Sequence, residues 1–289
     1  MALTADYQVE LIDWQNTTIQ LGTSTDYPVV SFDGLGVPNL RTSDTTRPRD
    51  HGAYLGVDYV DVRTVTLSGF VQAADADTAL ELLDTLKARW CPSADPTDMH
   101  RLTFRLPGIG DRQLFGRPRR LAANVEQVAH GLIGWDLEFV ASDPFIKSLA
   151  ATSVSVPVSS VSGGRTYDRD YDLTYPGSGV TGTTTVTVGG TCAARPNVVF
   201  HGPLTDPTLV NNTTGEQFGV NLTISAGDVL VVDFDARTVM LGGTSSRYGA
   251  VAAGSTWFDL EVGQNRFRLN DSAGSTTGSC TINFYDTYL

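Results

Sequence analysis

Two carboxylates two positions apart, Asp233 and Asp235, stand inside GDVLVVDFDARTVMLGG (227–243), the most apolar run of the chain. Such a pair could ligate a cation or flank a sugar. In a calcium loop of the EF-hand kind they would take positions 1 and 3. Position 5 would then be Arg237, position 6 Thr238 in place of the turn glycine, and position 12 Thr244, so the donor set fails. Alternate residues on one strand face lie about 7 Å apart, a spacing open to a glycosidase pair. One member of such a pair needs an apolar pocket to raise its pKa, whereas Asp235-Ala236-Arg237 reads as a polar connection between VLVVDF and TVML. The pattern predicts a hairpin in which the acids bend the chain.

The other residues with chemical potential are scattered. A literal G-x-G-x-x-G runs through Gly177, Gly179 and Gly182, but Pro176 precedes it and the β-prone TTTVTV follows, where a dinucleotide site needs a helix to open. Cys91, Cys192 and Cys280 are odd in number and far apart, so neither a disulfide framework nor a metal clip is implied, and buried inert thiols are expected. His51, His100, His130 and His201 have no second ligand three or four positions away and read as surface or turn histidines. Trp257 with Asn265 in WFDLEVGQNRF could stack on a sugar ring. The same residues fit an alternating strand with a core or edge tryptophan, followed by a turn at Gly263-Gln264-Asn265. No cofactor is expected, and no catalytic or metal-binding residue is assigned. The rival readings are a carbohydrate-binding module over 195–289 with Trp257 as its contact, and a glycoside hydrolase using Asp233 and Asp235.

The elements that would hold these residues are nearly all strands. A chain of 289 residues with 41% hydrophobic and 18% charged residues is folded and long enough for two domains. The net charge of −12 argues against a nucleic-acid surface. Basic residues gather locally at Arg41, Arg47 and Arg49, and again at Arg117, Arg119 and Arg120, which suits solvated loops or a patch facing an acidic partner. No apolar run is long enough to span a membrane and the N-terminus lacks a signal-peptide pattern, so no membrane partner is expected. One helix is predicted over 75–90, where Ala79, Leu82, Leu83, Leu86 and Trp90 share a face, with Thr78 and Glu81 as a capping box and Pro92 as the stop. RTVTLSGFVQ (63–72), RLTFRL (101–106) and GWDLEFVASD (134–143) alternate as strands. From 150 to 194 the composition turns to Ser, Thr, Gly and Val, a crossover able to lend strands to its neighbours. The remainder has turn signals every 8 to 14 residues, the spacing of a jelly-roll β-sandwich.

The order of these pieces resembles the distal tail protein of siphophages, within the wider phage tail protein family. The resemblance rests on RPRDHGAYLGVDYVDVRTVTLSGFV (47–71), the ELLDTLKARW helix and FVASDPF (139–145). It continues through GGTCAARPNVVFHGPLTDPTLVNNTTGEQF (189–218), LTISAGDVLVVDFDARTVML (222–241) and WFDLEVGQNRFRL (257–269). It implies a mainly β protein in three parts. An N-terminal ring-forming domain (1–148) would be a β-sandwich or barrel with one α-helix, followed by a crossover (149–194) and a C-terminal galectin-like β-sandwich (195–289). It further implies a hexameric ring in the virion tail, made in the bacterial host cytoplasm, that joins the tail tube protein to the tail-tip protein and offers a place for a receptor-binding protein or fibre. The galectin sugar-binding constellation is not recognisable, so carbohydrate binding is not implied. Ring contacts are expected along 47–71 and on the 101–120 hairpin, with Arg47, Arg49, Tyr54 and Arg63 as interface residues. The 41–56 loop has no apolar period and is expected to order only on assembly.

Overall fold

The computed structural model describes residues 3–158, 182–275 and 277–289. Gly177 and Gly179 of the glycine motif lie outside them. The chain divides into two compact units, residues 1–149 with Tyr288–Leu289, and residues 150–287.

In the first unit, strands β1 (Gln8–Ile12), β2 (Thr18–Gly22), β3 (Val29–Asp33) and β4 (Arg63–Gln72) are followed by helix α1 (Ala76–Arg89). Strands β5 (His100–Leu106), β6 (Gly110–Asn124), β7 (Leu132–Ala141) and β8 (Ile146–Ser148) come after it. Their order is β2-β1-β5-β6-β7-β4-β3, all antiparallel, with β8 on β6. The fifteen-residue β6 pairs β5 with its first half and β7 with its second. The register shifts between Pro118 and Arg120, where proline lacks the N–H a regular ladder needs. This break lets one continuous strand serve both halves of the sheet. Ile133, Trp135, Leu137, Phe139 and Ala141 of β7 alternate inward, Asp136 lies exposed between them, and Phe32 of β3 meets Phe104 of β5 edge-on at 5.2 Å across the core.

Helix α1 buries Ala79, Leu83 and Leu86 as its spacing requires, with Trp90 just beyond it sealed over Phe139. Its cap differs from the expected box at Thr78. Asp75 sits in extended conformation at the N-cap and its carboxylate accepts the N–H of Thr78 at 2.8 Å, because Ala76 already takes helical backbone. His100, read as a surface residue, is fully buried. Cys91 is exposed, contrary to the expected buried thiols, while Cys280 is buried.

The second unit is a sandwich of two antiparallel sheets. One runs β9 (Thr152–Pro157), β18 (Ser279–Phe284), β11 (Asn197–His201), β14 (Val229–Asp233), β15 (Thr238–Leu241), β16 (Ser245–Ser246). The other runs β10 (Thr183–Val188), β17 (Gly263–Asn270), β12 (Thr208–Asn211), β13 (Gln217–Gly219). Phe200, Leu230, Val232 and Ile282 from the first sheet and Leu209, Phe218, Phe267 and Leu269 from the second fill one core. The segment expected as a crossover supplies β9 and β10, each a six-residue partner of β18 or β17, so this unit begins near Ala150 rather than 195. Trp257, Phe258 and Leu260 lie outside the named strands, and Gly263 opens a strand where a turn was expected. The chain turns earlier instead, held by Asn265, whose buried amide donates to the Glu261 carbonyl at 2.7 Å and accepts the Glu261 N–H at 3.2 Å.

Candidate functional site

Between β3 and β4 the chain runs out as a two-stranded ribbon. Leu40–Arg41 pair with Tyr59–Val60 and Thr45–Thr46 with Ala53–Tyr54, closed at the tip by the Arg47 N–H on the Gly52 carbonyl at 3.2 Å, with Gly52 at φ +89. Halfway along, Gly56 donates to the Asp44 carboxylate at 2.9 Å, and a Cβ at Gly56 would lie 2.2 Å from the Ser43 hydroxyl. The segment read as a loop that orders only on assembly therefore has backbone pairing within the chain. Its side chains have no core. Val37, Leu40, Tyr54, Leu55, Val57, Tyr59 and Val62 are all exposed, Leu55 to 87%. An isolated two-stranded ribbon is marginal in water, and this one exposes seven large apolar side chains along its length, more than singly scattered surface residues would give.

Of the predicted interface residues, Arg47 and Tyr54 come together on this arm. The guanidinium lies over the ring at 5.0 Å and 3.7 Å from Asp50. Arg49 is exposed two residues further along. Arg63 is not a surface residue. It is 1% exposed at the base of the arm, where Nε donates to the Pro144 carbonyl at 2.6 Å and Nη1 to the carbonyls of Gly34 and Gly36 at 2.7 and 2.6 Å. Of the second arginine group, Arg117 is turned inward to the carbonyls of Asp98 and Asp95, while Arg119 and Arg120 remain exposed.

The carboxylates that could have been chemical are used by the backbone. Asp233 Oδ1 accepts the N–H of Asp235 at 2.8 Å and of Ala236 at 2.9 Å, and Arg237 follows at φ +52 as the chain reverses from β14 into β15. Asp235 pairs with Arg195 at 2.5 Å, and Arg195 also lies 3.7 Å from Asp259. Burial raises the Asp259 pKa, offset in part by Arg195. Trp257 packs into an aromatic group, 4.7 Å from Phe218 and 5.3 Å from Phe234, and the exposed Tyr248 ring lies parallel to it at 6.3 Å. Its neighbours are therefore protein rings, as a core or edge tryptophan requires.

Residues 189–288 match the family model described as siphovirus-type tail component, C-terminal domain. The whole fold is similar to that of the SPP1 Dit (gp 19.1) protein of phage SPP1, described as a paradigm of the hub adsorption apparatus in Gram-positive infecting phages. That alignment has a TM-score of 0.67 at 15% identity over 97% of this chain and 99% of the other. Chains of the phage P2 baseplate in its activated conformation, solved with Ca and with Sr, each align at a TM-score of 0.50 and 10% identity over 96% of this chain and 97% of theirs. No curated protein sequence matches. The resemblance to siphophage distal tail proteins read from the sequence is borne out by the family match and the shared fold.

Proposed function

We propose that this chain is the hub component of a siphophage tail, a structural protein that closes into a hexameric ring between the tail tube and the tail-tip apparatus. The first unit (1–149) builds the ring, and the second, a β-sandwich that the resemblance makes galectin-like in fold and not in sugar binding, carries tail-tip or adhesin partners. The observation that carries this reading is the arm. A ribbon with seven exposed large apolar side chains and paired backbone but no core of its own gains stability from a surface that covers it. A second copy is the occupant a ring supplies, because heterologous contacts repeated around a cyclic axis bury the same arm in every subunit without leaving one over.

The test is assembly. The purified chain, alone or mixed with its tail tube protein, is expected to run as a hexamer by light scattering. Leu55→Asp with Tyr59→Asp places two charges on the arm and is expected to leave circular dichroism unchanged while abolishing the hexamer. Wild-type chain that stays monomeric with the tube protein present contradicts the reading.

A further inference from the structure

The buried Arg63 sits at the root of the arm, where its direction is set. The arm leaves the first unit after Gly36 and returns at Val62, and the Arg63 backbone opens β4. Its guanidinium reaches the exit segment after β3 through the carbonyls of Gly34 and Gly36 and the segment beyond β7 through the carbonyl of Pro144. One rigid planar group thus ties together the outgoing chain, the returning chain and the body. The exit is further constrained at Gly34, which sits at φ +94 where a Cβ would lie 2.2 Å from the Thr64 carbonyl.

Packing alone does not account for an arginine here. The neighbouring inward residues of β4 are Val65, Leu67 and Val71, all buried. An apolar side chain would continue that series without burying a charge, and Arg63 retains Nη2 buried with no hydrogen-bond partner among the described residues. Its burial is accompanied by no carboxylate among its hydrogen-bond partners, only main-chain oxygens. Such a group disfavours alternative arrangements of the segments it joins more than it adds net stability.

We propose that the Arg63 guanidinium is a clamp that aims the arm, and that Arg63 is a positioning residue for self-assembly rather than an interface residue. The proposal rests on the arm being an assembly element, as inferred above. An arm held in one direction meets its neighbour without losing orientational freedom on binding, whereas a swinging arm is competent only in a fraction of molecules.

The clamp is tested separately from the ring. Nitroxide labels at His51→Cys on the arm tip and Gln127→Cys on the body, with Cys91 and Cys192 changed to Ser, report the distance distribution by pulsed electron resonance. The parent protein, diluted until monomeric, is expected to give one narrow peak. Arg63→Lys, which keeps the charge but loses the planar fork, should broaden it about twofold or more, with unchanged near-ultraviolet circular dichroism. Unlabelled Arg63→Lys should associate about tenfold more weakly than wild type. Arg63→Gln serves as the second variant. A narrow peak that survives either substitution, a parent peak already broad, or loss of folding in both variants overturns the clamp. A narrow parent peak broadened by Arg63→Lys in a chain that never forms rings supports the clamp while refuting the hub reading.

Discussion

At the scale of single residues, Asp233 and His100 show how the fold uses polar groups. Asp233 satisfies two N–H groups of the β14–β15 turn, so Asp233→Ala should destabilise the second unit by about 1–2 kcal/mol. Asp235, half-exposed in its pair with Arg195, should cost under about 1 kcal/mol when changed to Ala. Thermal denaturation of the two variants measures the difference, and neither should alter assembly. A larger loss at Asp235 would contradict the assignment of the turn to Asp233. His100 is 0% exposed, and burial lowers its pKa below 6.5, with Asp13, the Cys91 backbone and Asp98 opposing the shift and Arg117 adding to it. The unfolded chain therefore binds a proton that the folded chain refuses. Stability from this group is intact above pH about 6.5 and declines as pH falls below that value toward the lowered folded pKa. Urea midpoints measured from pH 7.5 to 5.5 should fall in the wild type and fall less in His100→Gln. Equal slopes would show that other groups carry the dependence.

At the scale of elements, the arm depends on its root. Gly34→Ala forces a Cβ against the Thr64 carbonyl at a φ that disfavours any side chain, so the first unit should lose stability and the amides at the base of the arm should exchange faster. Exchange unchanged in that variant would contradict the packing at the exit. The strands that build the body were legible because they are long. RTVTLSGFVQ is a strand over all ten of its residues, and Trp135, Leu137 and Phe139 share the face their alternation predicts. The arm was not legible, because ladders of two residues are too short to show a period of two and its apolar side chains face no core that would impose one. Arg63 was misplaced for a related reason. Arginine is seldom fully buried, and its partners are carbonyls of residues 27 to 81 positions away that no local pattern announces. Trp257 was read within a strand because Phe258 and Leu260 are inward-facing there without regular pairing. The distinction lay in bonds from distant residues, such as the Ala194 and Leu260 bridge.

At the scale of the whole molecule, the two units make separate predictions. The fragment 150–287 contains β9 and β10 and should fold alone with a cooperative transition, whereas a fragment starting at 195 lacks both partners of β17 and β18 on that side and should not. Comparable cooperative melting of both fragments would contradict the assignment of 150–194 to this unit. The central claim, that the arm and body of the first unit close on copies of themselves, is tested most directly by electron microscopy of the purified chain mixed with its tail tube protein. The account predicts rings of sixfold symmetry with a central opening, lost in the Leu55→Asp, Tyr59→Asp variant. Isolated particles of single-chain mass under the same conditions, or rings indifferent to that variant, would contradict it.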